Sequence, residues 1–334
     1  DRQAQYSQPE GYADGLNTFF QTGIPQFLAG QPGENAVCSP LNLYMALALL
    51  AEVTEGETRQ QVLDLLNAAG IDALRTQAGH VWNAHYCADS ASTCTLANSV
   101  WMDSGLNYDG SVLETLTNSY YASAFQGDLG SPEMDALLQK WLNDQTGGLL
   151  KDQAQNVKLD PDTAFALASS IYFTAAWQDQ FSAAKTKEDV FHSPGGALSV
   201  PFMHQSMNGH MLFQSENFSA IYLELTGNNR MWLILPDEGH TVAEILESED
   251  YLQMTLNPSA WATKEQFTVN LSLPKFDIAS QKDLIDGMTG TLFVPDASLT
   301  VAQAIKLAAA LHQLDKLGRV NLDNGTDVWY STYV

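Results

Sequence analysis

The stretch from Ala166 to Trp177 constrains the fold of this chain more than any other, because a long apolar run there ends at a large aromatic residue. Residues 171–173 are Ile, Tyr and Phe, and they extend the apolar residues at 166–168. A strand that is buried on both faces has such a near-continuous apolar sequence. The stretch therefore predicts a central strand that ends at Trp177, with an ordinary buried strand of some other fold as the alternative.

The longer segment 169–192, SSIYFTAAWQDQFSAAKTKEDVFH, resembles a signature of the serpin family. In that signature a central strand ends at a Trp and continues to a Phe, a Thr-Lys-Glu corner and a Phe-His pair. Further segments resemble the family in its order along the chain. They are NAVCSPLNLYMALALLAEVTEGETRQQVLDLL (35–66), LANSVWMDSG (96–105), WLNDQTGGLLKD (141–152), MWLILPDEG (231–239) and VNLSLPKFDIASQKDL (269–284). The resemblance therefore covers most of residues 15 to 285.

The resemblance implies an α+β fold with a large mixed or antiparallel central sheet, further sheets and about eight or nine helices. The order of periodicities agrees with this class. Helical spacing dominates residues 11–85 and 110–150, and shorter apolar runs with turn signals follow from about 160 to 280. A further apolar stripe predicts a helix over residues 296–317.

We find no internal repeat or linker, so we expect one domain over residues 1–334. Its regions are an N-terminal helical region (11–150), a sheet-rich region (160–290) and the hinge with the start of the reactive loop (318–334). By this alignment the chain ends inside the loop. We therefore expect the cleaved bond and the C-terminal strands of the family to be missing from it.

Charge and hydropathy exclude several kinds of partner. The net charge is -24, whereas nucleic acids and anionic membranes need clustered Lys and Arg. Some serpins bind heparin through a basic helix, and no comparable basic run exists here, so the acidity is read as a solubility feature. The longest apolar run, Leu43 to Ala51, is far shorter than the ~20 residues of a membrane span.

An enzyme is the first alternative class, and the sequence does not favour it. There is no Gly-x-Ser-x-Gly elbow, no glycine-rich phosphate loop and no paired metal-ligand motif. His80 and His85 are spaced so that they do not share a helix face, and His204 with His210 lacks an obvious third ligand. We therefore expect structural histidines, no catalytic residues, no metal and no cofactor.

Cys87 and Cys94 flank the short polar loop ADSAST. They are close enough in sequence to close a disulfide in an oxidising compartment, and two unpaired thiols are the alternative. Cys38 lies in an apolar segment and is read as a small buried residue.

The resemblance also implies a mechanism. A serpin offers an exposed loop as bait to a serine protease, or in some cases a cysteine protease. The protease cleaves the loop and becomes acylated, and the freed loop then enters the central sheet as a new strand. We expect a monomeric suicide inhibitor of a subtilisin-, elastase- or trypsin-type protease, secreted or at the cell surface. The alternative is a non-inhibitory serpin that acts as a carrier, chaperone or storage protein.

The resemblance places the working residues of that mechanism. LDNGT resembles the hinge of the loop, with Gly325 and Thr326 at its Gly-Thr and with Asp327 and Val328 after them. An ordinary Asn-Gly turn is the alternative reading of Gly325. Inhibitory serpins favour small residues after the Gly-Thr, whereas this chain continues VWYS, so rapid insertion is less assured.

Two further sites are implied. Ser39 and Asn42 correspond to the shutter below the opening strands, where the family more often has Ser at the second position. Ser39 is equally placed for a helix N-cap. Trp177 corresponds to the breach, where insertion starts, or is a plain core aromatic. The family's shutter His stays unassigned, because His312 lies too far upstream and Lys306 is the other candidate.

Overall fold

The computed structural model describes residues 3–5, 7–28, 34–283, 315–321 and 327–333. Within these residues the chain forms nine α-helices and one short 3-10 helix. They are α1 Asp14–Leu28, α2 Pro40–Val53, α3 Gly56–Leu65, α4 Ile71–His85, α5 Gly110–Ser119, α6 Pro132–Gln145, α7 Lys151–Ala154, α8 Val242–Glu247, α9 Asp250–Leu256 and the 3-10 helix Ala183–Lys185. None of the helices in the described part of the chain is both long and apolar enough to cross a membrane.

Twelve strands of the described residues form two sheets. They are β1 Cys87–Ala88, β2 Ser92–Asp103, β3 Ala122–Gly127, β4 Phe165–Ala176, β5 Lys187–Ser193, β6 Gly196–Gln214, β7 Phe218–Leu225, β8 Asn229–Pro236, β9 Lys264–Pro274, β10 Asp277–Asp283, β11 Asp315–Asn321 and β12 Asp327–Tyr333. The predicted α+β class is confirmed.

The central sheet has seven strands in the order β1-β2-β4-β12-β11-β10, with β3 paired to β2. Only the β2–β3 pair is parallel, and the other pairs are antiparallel. The strand predicted from the apolar run is β4, which ends at Ala176, the residue before Trp177. The second sheet has five strands in the order β5-β6-β7-β8, with β9 paired to β6.

Helices cover both faces of β2 and β4. On one face α2, most of whose residues are buried, packs with Leu96, Val100 and Ile171. On the other face α6 packs with Trp101 and Ala168. This double coverage explains why both strands have apolar residues at successive positions rather than alternating with polar ones.

A buried ion pair joins the helices on the first face. Glu52 of α2 is 4% exposed, and its two carboxylate oxygens accept from Arg75 Nε at 2.7 Å and Nη2 at 2.8 Å. The Tyr120 hydroxyl donates to the same carboxylate at 2.8 Å. Arg75 also contacts Asp72 at 2.8 Å, and Asp72 is 91% exposed. Three elements are therefore fixed to one buried carboxylate.

The structure differs from the sequence prediction near the end of the chain. Residues 315–317 were predicted to end a helix over 296–317, but they begin β11. The remainder of that predicted helix, including Lys306 and His312, lies outside the described residues. Strands β1 to β3 also lie within the region 11–150 that we described as helical, so that region supplies part of the central sheet.

Candidate functional site

The central position of β12 defines the candidate site. All seven residues of β12 pair antiparallel with β4, beginning with Asp327 opposite Ala176. On its other edge, residues 329–333 pair antiparallel with residues 317–321 of β11. The segment that follows the predicted hinge is thus an interior strand, with backbone partners on both sides.

Two of the four predicted hinge residues lie within the described residues, and two lie outside them. Gly325 and Thr326 lie outside the described residues. Asp327 and Val328 are the first two residues of β12, opposite Ala176 and Ala175. The pairing of β12 therefore starts at the end of β4 that carries Trp177.

Trp177, predicted at the breach, is buried at this end of β4, with 2% of its surface exposed. Its backbone forms a bridge to Leu225, and its ring meets Phe181 edge-on with centroids 5.4 Å apart. Its indole Nε1 has no hydrogen-bond partner among the described residues. A buried donor without an acceptor costs free energy.

The turn between β7 and β8 holds the same end of β4. The Thr226 amide donates to Ala176 O at 2.9 Å, and the Ala176 amide donates back to Thr226 Oγ1 at 3.0 Å. Thr226 Oγ1 also donates to Ala91 O in the β1–β2 turn. Gly227, at φ 72°, packs against Ser92 so closely that no Cβ would fit. This turn therefore links β4 to both the second sheet and the β1–β2 hairpin.

The predicted shutter residues lie at the start of α2, directly beneath β4. Ser39 is the N-cap, because its Oγ accepts from the Asn42 amide at 3.2 Å. Asn42 is fully buried, and its Nδ2 donates to Ser169 O at 3.3 Å. In return Ser169 Oγ donates to Asn42 Oδ1 at 2.7 Å. A pair of hydrogen bonds therefore connects the helix start to the middle of β4.

Ser169 is the functional candidate that sequence reasoning missed. It is 2% exposed and lies inside the apolar run that identified the strand. A signal was present, since Ser169 and Ser170 interrupt that run with polar side chains that need partners once buried. Sequence alone did not indicate which partner they would find.

A glycine allows α6 to end close to the opposite face of β4. Gly147 has φ 58°, and a Cβ there would lie within 2.5 Å of the Tyr172 ring. Burial raises the pKa of the Tyr172 hydroxyl above its ordinary value. A larger residue at position 147 would therefore push the helix end away from the strand.

Cys87 and Cys94 are free cysteines that lie directly opposite each other on β1 and β2. The two sulfurs are unbonded in this structure, and the disulfide considered from the sequence stays a prediction. Cys87 is 4% exposed, and its Sγ lies 3.6 Å from Ser92 Oγ. Burial, with a smaller effect of Cys87, raises the pKa of the Cys94 thiol to about 12. Cys94 is therefore a thiol at neutral pH.

Two of the four histidines singled out in the sequence, His204 and His210, have hydrogen-bond partners. His204 Nδ1 lies 2.9 Å from Ser272 Oγ, and His210 Nε2 lies 3.0 Å from Tyr222 O. Among the described residues, no three His, Cys, Asp or Glu side chains gather closely enough to hold a metal ion.

Comparison with known proteins identifies the family. The family model described as Serpin (serine protease inhibitor) matches residues 15–313. The chain belongs to the serpin family. Among curated serpins, it is 31% identical over 261 residues to Serpin-Z1A of Triticum aestivum, covering 73% of this chain and 64% of that protein. It is 27% identical over 270 residues to a serine protease inhibitor of Cyanea capillata, covering 76% of this chain and 69% of that protein.

Solved serpin structures share the fold. The thermophilic serpin tengpin in its latent state superposes with a TM-score of 0.81 at 21% identity, covering 99% of this chain and 90% of that one. Reaction-loop-cleaved lamprey angiotensinogen gives a TM-score of 0.76 at 19% identity, covering 96% and 97%. The serpin chain described here spans just under two thirds of the curated Serpin-Z1A and Serpin-Z1C, at 64% and 66% of their lengths.

Proposed function

We propose that this serpin is a suicide inhibitor of serine proteases that traps the acyl-enzyme by inserting its cleaved reactive loop into the central sheet. The observation that carries the proposal is the place of β12. The segment just after the hinge lies between β4 and β11 and pairs with both. A segment that serves as protease bait must also be able to leave this place, because a paired interior strand is no substrate.

The chemistry on the serpin side is that of a peptide substrate. The protease serine attacks a loop carbonyl, the peptide bond breaks, the new amine leaves, and the loop segment before the break stays attached as an ester. Severing the loop removes its tether, so residues 327–333 are free to pair with β4 and β11. Strand pairing and burial then release free energy, which is available to displace and deform the attached protease before water hydrolyses the ester.

The Trp177 end of β4 and the middle of β4 each have a role in this proposal. Thr226 fixes the Trp177 end, so that β12 begins pairing against an immobile strand. The Asn42–Ser169 hydrogen bonds hold the middle of β4 on α2 while the neighbouring strands separate. Polar pairs of this kind limit the motion to discrete arrangements, because breaking them leaves buried groups without partners.

The test is a covalent-complex assay with a panel of subtilisin-, elastase- and trypsin-type proteases. We expect a protease–serpin band that survives boiling in detergent. Val328 lies opposite Ala175, which is 3% exposed, so Val328→Glu should block insertion and leave a cleaved chain without a complex. Glu265→Gln, at an exposed position of β9, is the matched control and should form the complex normally. Cleavage by every protease of the panel without a complex would contradict the proposal.

A non-inhibitory serpin is the second candidate. The bulky residues Trp329 and Tyr330 favour it, because large side chains slow entry into a packed sheet. Thyroxine-binding globulin and ovalbumin are among the structures that share this fold. Melting curves separate the two candidates, since loop cleavage should raise the melting temperature sharply where the strand inserts. An unchanged melting temperature together with no complex would favour a carrier or storage role.

We also propose a secreted or cell-surface location, where such a bait meets proteases. The Asn-x-Ser/Thr triplets at Asn217, Asn270 and Asn324 are compatible with glycosylation on that route. Fractionation of the source cells, with detection of the chain by an antibody, tests this location. Recovery of the chain only in the cytosol would refute this location and would leave the inhibitory proposal intact.

A further inference from the structure

The β1–β2 hairpin brings two cysteines together at the edge of the central sheet. Cys87 lies opposite Cys94 in an antiparallel pair, so both side chains emerge on the same face. Directly opposed residues have Cα atoms about 4.5 to 5.5 Å apart. This range lies inside the span of about 4.4 to 6.8 Å that a disulfide requires.

We propose that Cys87 and Cys94 form a thiol–disulfide site that locks the hairpin in oxidising conditions. The reaction needs an oxidant, for which a low-molecular-weight disulfide such as oxidised glutathione is sufficient. One cysteine thiolate attacks a glutathione sulfur and expels one glutathione thiolate, which gives a mixed disulfide. The second cysteine then attacks the protein sulfur of that mixed disulfide and expels the second glutathione. The chain loses two hydrogens, and one glutathione disulfide becomes two thiols.

The hairpin is placed so that the lock acts on the sheet. Ala91 lies in the turn of the hairpin, and its carbonyl accepts a hydrogen bond from the Thr226 hydroxyl. The same hydroxyl accepts a hydrogen bond from the amide of Ala176 at the end of β4. Ser92 packs against Gly227 in the same contact. A disulfide between β1 and β2 therefore restrains the β1–β2 turn, which contacts the β7–β8 turn at the Trp177 end of β4. This restraint does not depend on whether the protein inhibits a protease.

Burial decides when the site reacts. Only thiolates attack disulfides, and the surroundings of Cys94 disfavour its thiolate at neutral pH, as its pKa of about 12 indicates. Cys87 is almost completely covered. We therefore expect slow oxidation of the folded protein near pH 7, with a rate that rises about tenfold for each pH unit. Oxidation during folding should be much faster, because both cysteines are then exposed.

The test uses the Cys38→Ser variant, in which only the pair remains. Thiols are titrated in denaturant after refolding with and without oxidised glutathione, and the intact mass is measured. We expect two thiols to fall to zero with a loss of two hydrogen masses per chain. The melting temperature should rise by about 3 to 4 °C, from the loop-closure entropy of a short loop and the entropy of unfolding of a chain of this size.

Cys38→Ser/Cys94→Ser is the matched control and should show no mass loss and no shift in melting temperature. A wrong proposal would appear as two remaining thiols, as chains linked to each other, or as chains that carry glutathione without closing the bond. Reduction with dithiothreitol should reverse the shift, and a shift that persists after reduction would also contradict the proposal.

Discussion

Replacing Ser169 by alanine should destabilise this serpin through one buried hydrogen bond, and the effect should depend on Asn42. In Ser169→Ala, Asn42 Oδ1 loses the hydroxyl donor that lies 2.7 Å away, while its Nδ2 keeps the backbone acceptor of residue 169 at 3.3 Å. A buried acceptor that loses its donor costs about 1 to 3 kcal/mol. We expect that loss in the free energy of unfolding.

The same substitution should cost much less when Asn42 is already alanine. In Asn42→Ala the Ser169 hydroxyl has lost this acceptor, so its removal takes away an unsatisfied buried group rather than a bond. The double-mutant cycle should therefore give a coupling energy of about 1 to 3 kcal/mol between the two side chains. The two single substitutions should not be additive.

Urea denaturation of the four proteins measures this coupling, with unfolding rates in its place where unfolding is irreversible. Ser199→Ala is the control, because its hydroxyl donates at 3.0 Å to Glu188 on the exposed β5–β6 hairpin, and it should cost less than about 0.5 kcal/mol. Additivity within about 0.5 kcal/mol would refute the idea that the two residues act as one polar lock on β4.

Three further predictions concern other contacts. Gly147→Ala should destabilise the protein by about 1 to 3 kcal/mol in urea denaturation, because the new Cβ meets Tyr172 and the backbone at this position is left-handed. Gly79→Ala in α4 is the control: its new Cβ meets no atom, so it should be neutral or stabilising, and equal effects of the two substitutions would contradict the prediction. Glu52→Gln should cost about 3 kcal/mol in the same assay, since Arg75 loses its buried charged partner. Asp72→Asn removes the exposed partner of Arg75 and should cost less than about 0.5 kcal/mol; similar losses for the two substitutions would show that burial does not decide the strength of these ion pairs. Hydrogen bonds from the amides of Ser92 and Ala91 lower the pKa of Asp89. The ionised carboxylate therefore stabilises the β1–β2 turn above the unfolded pKa of Asp89, and this stabilisation is lost as the pH falls through the lower folded pKa. A carbon-13 NMR titration should find the lowered pKa of Asp89, and an ordinary aspartate pKa would show that the turn does not hold this carboxylate.

The sequence predicted the local features of the site well. The apolar run located β4 and its end at Trp177, and the Ser-Pro pair located the start of α2. These features depend on neighbouring residues, and their signals are short-range. The order of the motifs then supplied the fold class.

Non-local pairing set the limit of the prediction. Ser169 was overlooked because a polar residue in a buried strand has no partner that a one-dimensional pattern can identify. Residues 315–317 were assigned to a helix because they follow an apolar stripe with helical spacing. In the structure these residues form a strand that pairs with β10 and, at Leu317, with β12. The alignment of Cys87 with Cys94 likewise depends on the hairpin register.

The interior place of β12 has a consequence for how these molecules behave at high concentration. Residues 329–333 are paired along both edges and offer no free backbone groups to a neighbour, and β12 also fills the position that the same segment of a second molecule would need. Exchange of this strand between molecules therefore requires that it first leave its own sheet. Molecules with β12 in place should therefore remain monomeric at high concentration. Molecules in which the position of β12 is empty could accept this strand from a neighbour and form linear chains.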